Sequence, residues 1–180
     1  MRRRPLVRTA AAALALFLAG AAGAQKPIQI KGRFFGIAAQ FKVRIDGFTT
    51  PEELAGLKEP LTRQDFKGFY EALWKLDKGY IQFIGVSRTN IHFAMIVEEK
   101  RPEGTRILCI ADSRAVTNAR ISTDWGARPF YVVELTLDGK NEGEGRIHAA
   151  AQIDFPASGG VTLLSYSNEP QMLVNVRLLK

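Results

Sequence analysis

Cysteine is almost absent from this chain. Cys109 is the only one in 180 residues. A single thiol cannot form an internal disulfide, so the chain is not a disulfide-stapled mini-protein. Placed mid-strand beside Ile107 and Ala111, Cys109 reads as a small buried apolar residue. Histidine is nearly as scarce, with only His92 and His148. A zinc site takes about three or four close ligands, so the sequence predicts no metal site. No Gly-x-Ser-x-Gly elbow is present to support a hydrolase. Gly143-Glu144-Gly145 opens a strand instead of a helix, so it is no phosphate loop. No cofactor motif, internal repeat or low-complexity tract occurs, and no cofactor is expected.

Long apolar runs are also missing, apart from one at the start. Arg2, Arg3, Arg4 and Arg8 form a basic region, Ala10 to Ala19 a short apolar one, and Ala22-Gly23-Ala24 a small-x-small cleavage site. Residues 1–24 therefore read as a secretory signal peptide, with Gln25 as the first mature residue and an exported, periplasmic or extracellular location. Arg3-Arg4-Pro5-Leu6-Val7 also resembles the twin-arginine export pattern, although another arginine stands where that pattern has a polar residue, and a generic basic region is the preferred reading. No later stretch is long enough to span a bilayer, so no stable membrane insertion is expected after cleavage.

Removing the leader changes the charge argument. The whole chain carries 25 Lys and Arg against 18 Asp and Glu, a net +7. Four of those arginines and no acids lie in residues 1–24, which leaves 21 against 18, or +3. Interspersed signs at that level describe an ordinary surface and argue against nucleic acid as a partner.

What is present indicates an α+β domain spanning residues 29–180, after a short lead-in at 25–28. Alternation from Phe35 through Ile37, Ala39, Phe41 and Val43 to Ile45 predicts one long half-buried strand. Thr50-Pro51-Glu52-Glu53 has the form of a capping box with proline at the first helical position, and Pro60 is expected to stop that short helix. Phe66, Phe69, Tyr70, Leu73, Trp74 and Leu76 then form an apolar stripe on a helix over Thr62 to Asp77. From Tyr80 onward, short alternating runs separated by Gly, Asn and Asp turns predict an antiparallel meander. The expected architecture is a strongly bent antiparallel sheet or partly open barrel of seven to eight strands, packed against one main amphipathic helix and a short preceding one. Its expected core holds Phe66, Phe69, Leu73 and Leu76 with Phe41, Val43, Val133, Leu135, Val174 and Val176.

One strand, two helices and then a run of strands is an order that resembles helix-grip, START-like ligand-binding domains. That resemblance implies a curved sheet closed around a helix. This chain ends in a strand where that family has a long C-terminal helix, so no residue role is carried over.

Two function classes follow. The first is an exported non-catalytic binding module for a small apolar ligand or an envelope protein, with Phe66, Tyr70, Leu73, Trp74, Trp125 and Arg128 as candidate binding residues. The second is an extracytoplasmic hydrolase-like enzyme that uses the aperiodic segment 112–129 with a strand histidine, its candidates being His92, Asp112 and His148. The missing motifs favour the first. Nothing in the sequence fixes the number of subunits.

Overall fold

The computed structural model describes residues 26–85, 90–112, 130–156, 160–166 and 169–179. The expected leader, most of the 112–129 segment and, with it, Trp125 and Arg128 lie outside the described residues.

The described residues open with β1 (Ile28–Phe34), a strand not expected ahead of the one predicted from Phe35. Ile28 and Ile30 alternate with Gln29 and Lys31, so one side of this segment can be buried. A turn follows, closed by the Phe34 amide on the Ala39 carbonyl at 3.1 Å, with Gly36 at φ +79°. The long strand predicted from Phe35 therefore breaks, and β2 spans only Gln40–Ile45. Phe35 and Ile37, expected inside, are 65% and 54% exposed at this turn. Glycine at position 36 permits the left-handed backbone that reverses the chain.

Helix α1 (Pro51–Thr62) starts as its sequence dictates. Thr50 Oγ1 accepts from the Glu53 amide, and Glu53 Oε2 accepts from the Thr50 amide at 2.8 Å. Pro60 does not stop it, because a proline in the last turn leaves only one backbone bond unmade. The helix ends instead through Gln64, at φ +57°. Asp65 then caps α2 (Phe66–Leu73), its Oδ1 accepting from the Gly68 amide at 2.9 Å. The expected 62–77 helix is thus two pieces. Thr62 closes the first, and the second has only eight residues.

The remaining elements are β3 (Gly79–Ile84), β4 (Asn90–Phe93), β5 (Met95–Arg101), β6 (Gly104–Asp112), β7 (Phe130–Leu137), β8 (Glu142–Asp154), β9 (Thr162–Tyr166) and β10 (Gln171–Leu179). Among the described residues the ten strands form one antiparallel sheet in the order β4-β3-β2-β1-β10-β8-β7-β6-β5, with β9 on β8, and it does not close. The count exceeds the seven to eight expected because β1 was not anticipated and because Ile91 to Val97 divides at Ala94. There the chain leaves β3 and joins β6, turning a corner between the two ends of the sheet. Hydrogen bonds patch that corner. The Thr49 amide donates to the Ile96 carbonyl at 2.8 Å, the Ile96 amide to Thr49 Oγ1 at 2.9 Å, and the Lys78 amide to the Phe93 carbonyl at 2.8 Å.

Two cores result. The larger holds Ile30, Phe41, Val43, Ile81, Phe93, Ile96, Cys109, Val133, Leu135, Leu173 and Val176. No helical residue belongs to it, so this face of the sheet is buried by the sheet bending over on itself. The smaller lies on the opposite face of β5 to β8, where Leu57, Phe69 and Leu73 of the helices cover Met95, Leu108, Ile110, Phe130, Val132 and Ala151. The single core expected from the sequence is therefore split: Phe69 and Leu73 never meet Phe41 or Val133. Phe66 is 63% exposed, Leu76 only partly buried, and Val174 likewise. Here the helices lie outside the bent sheet, the reverse of a sheet gripping a helix.

Candidate functional site

The polar residues singled out by the sequence do not assemble. His92 faces outward on β4, its Nδ1 3.2 Å from Asp77 Oδ2 and its ring beside Tyr80. His148 sits on β8 and is buried to 2% exposure, although a polar face was expected for it. It keeps the side opposite Ile147, in register with Val132, but that outer face is covered there and is not open to solvent. A bulge follows, where Ala149 and Ala150 together oppose Tyr131, and the extra residue brings Ala151 onto the same face as Val132. β4 and β8 are far apart in the sheet order, so the two histidines belong to separate sites. Asp112, at the end of β6, accepts a hydrogen bond from Trp74 Nε1 at 3.0 Å. That bond ties α2 to the sheet.

His148 belongs instead to a charged chain that the sequence reading missed. Glu134 on β7 takes Arg106 Nε on one oxygen at 2.6 Å and faces His148 Nε2 with the other at 3.3 Å. Arg106 continues to Glu99 at 3.4 Å, and Glu99 to Arg101 at 2.8 Å. The His148 contact and the Arg106 guanidinium hold the Glu134 carboxyl down at about 2, against the opposing effect of burial. A carboxylate so low, with both oxygens occupied, is a poor general base near neutral pH. The chain braces the part of the β5–β8 face that the helices leave uncovered. The register Leu108–Glu134–Arg146 could not be read from any local spacing.

The aromatic candidates are dispersed too. Leu73 is fully buried in the smaller core, and Tyr70 packs between Phe69 and Trp74. Phe66 and Trp74 are 63% and 60% exposed. A concave apolar surface occurs elsewhere, where α1 crosses β5 and the end of β8. Phe48, Pro51, Leu54, Ala55, Val97 and Phe155 line a groove of about 560 Å³. Its floor is the outer surface of the smaller core, since Leu54, Val97 and Phe155 belong to that cluster. Lys58 and Glu98 stand among the lining residues, and Lys58 Nζ reaches the Pro156 carbonyl at 3.4 Å. These residues come from three separate elements, so no periodicity announced them.

No group of three or more His, Cys, Asp or Glu among the described residues is arranged to hold a metal ion. Cys109 is fully buried, and burial pushes its thiol well above the ordinary range, away from reactivity. Comparison with known proteins gives no match: no family pattern fits the chain, and no curated protein or solved structure is similar to it. The geometry alone carries the functional argument.

Proposed function

We propose that this chain is an exported, non-catalytic binding module whose groove between α1 and β5 takes a small apolar ligand. The observation that carries the reading is the groove itself, about 560 Å³ and walled by Phe48, Pro51, Leu54, Ala55, Val97 and Phe155. Ligand pockets are concave, mostly apolar and few per protein, and this one falls in the usual size range. Its single Lys58 and Glu98 suit a ligand with one polar end. Export rests on the leader pattern of residues 1–24. N-terminal sequencing of protein recovered from the cell envelope should begin at Gln25, whereas an intact Met1 in the cytoplasmic fraction would contradict it.

The groove is tested by filling it. Ala55 is exposed on α1, so Ala55→Trp places an indole in the groove without entering the core. An environment-sensitive hydrophobic dye should bind the wild type saturably. The variant should bind it about tenfold more weakly while melting at the same temperature. Equal dye binding by both proteins would sink the assignment.

A further inference from the structure

The outer face of the other half of the sheet carries a second, oppositely built surface. Lys42 on β2 lies directly opposite Lys31 on β1, and Lys31 directly opposite Arg177 on β10. Three like charges thus stand in one rank across three adjacent strands, roughly 10 Å from end to end. Like charges directly opposite each other destabilise a sheet. Elsewhere this chain avoids the problem by pairing: Arg106 with Glu134, Arg101 with Glu99, Lys100 with Glu98 and Arg44 with Asp46. Among the described residues Lys31, Lys42, Arg177 and the neighbouring Arg33 have no ion-pair partner.

Lys31 and Arg177 of the rank line a recess of about 490 Å³ with Arg33, Gln40, Asn175 and one acid, Glu142, which stands opposite Arg177 on β8. The backbone of β10 is irregular there. One extra residue shifts its register against β1 between Lys31 and Arg33 and against β8 between Leu173 and Val176, with Asn175 held at φ +53°. Bulges re-aim side chains, and a left-handed non-glycine residue costs stability that a local role must offset. An unpaired cationic rank, a recess and a bulge coincide at one place.

We propose that this recess binds a linear phosphate-bearing polyanion, with Arg33 and Arg177 forking onto phosphate oxygens and Lys31 and Lys42 continuing the charge along the rank. One phosphate cannot reach all four cations, so the ligand carries several. Arginine's planar fork matches phosphate oxygens, and Gln40 and Asn175 supply amide donors. Among the described residues no aromatic side chain lines the recess, so none of them offers a stacking platform of the kind that single-stranded nucleic-acid sites use. A concave line of charge fits a chain better than a flat bilayer.

The test uses the purified chain with long-chain inorganic polyphosphate as probe, beside orthophosphate, anionic phospholipid vesicles and single-stranded DNA. Polyphosphate should bind saturably, and binding should weaken by about tenfold or more between about 50 and about 500 mM NaCl. Lys31→Gln with Arg177→Gln should weaken it by about tenfold or more while the melting temperature holds or rises, because the like-charge opposition is relieved. Lys67→Gln with Lys100→Gln removes the same charge elsewhere and should bind as the wild type does. Should the first pair fail to fold, exposed Arg33→Gln alone must show the loss. Equal binding by the two double variants would overturn the proposal, as would tighter binding of vesicles or DNA than of polyphosphate, or no binding of polyphosphate at all.

Discussion

Glu134 shows how one side chain can set the acid limit of a fold. In the native chain its carboxyl titrates at about 2, held down by His148 and Arg106. The unfolded chain binds the proton first, near the ordinary glutamate value of about 4.3. The stabilisation is therefore complete above that value and is lost as pH falls through it toward about 2. Glu134→Gln should lower stability near neutral pH by about 1–3 kcal/mol, since it weakens bonds to partly buried Arg106 and buried His148. It should also flatten the decline across the acid window. Urea melts of both proteins over that range measure this, and parallel wild-type and variant curves would refute it. None of this was legible beforehand: alternation placed His148 opposite Ile147 but could not say that this face is covered as well.

At the scale of elements, local chemistry read well and long-range geometry did not. The capping box at Thr50 and the turn after β7 at Asp138 to Asn141 were present in the residues. So was the burial of Phe69 and Leu73 by the helical stripe. Period-two alternation failed wherever an extra residue entered a strand. In β10 the reading grouped Val174 with Val176, whereas the slip at Asn175 puts Leu173 and Val176 on the core side. The groove escaped notice for a related reason, since α1, β5 and the end of β8 meet only in three dimensions. Leu73 itself lines neither the groove nor any other described cavity and is fully buried against Met95 and its neighbours. Leu73→Ala should accordingly cost about 2–5 kcal/mol in thermal or urea melts, as a filled core site does. Dye binding in the groove should remain. A small loss accompanied by altered dye binding would mean that the helix borders a ligand cleft instead.

At the scale of the whole molecule, charge and burial are arranged by region. A linked chain of ions braces the β5–β8 half, a rank of three cations without ion pairs among the described residues crosses β2, β1 and β10, and the larger core lies inside the bend. Cys109 sits in that core, on β6. It therefore reports on opening of the entire sheet and not on the surface. Its labelling by a thiol reagent should be negligible in native buffer and should follow global unfolding as urea is added. Rapid labelling without denaturant would show that the larger core opens locally. The bent antiparallel class was legible from the spacing of strands and turns. The two-core arrangement was not, because alternation says that one side of each strand is buried but not against which partner.

The pairing of β1 with β10 also fixes an order of events. β1 to β4 form one antiparallel run and β5 to β8 another, each built from neighbours in the chain. The strand that sits between them, bonded to β1 on one side and β8 on the other, follows both runs in the chain. Until residues 171–179 emerge, the middle of the sheet does not exist, and the inner side chains of both halves stay open to solvent. Each half can pair from its own neighbours, but the larger core is completed only when β10 bridges them, in one late step.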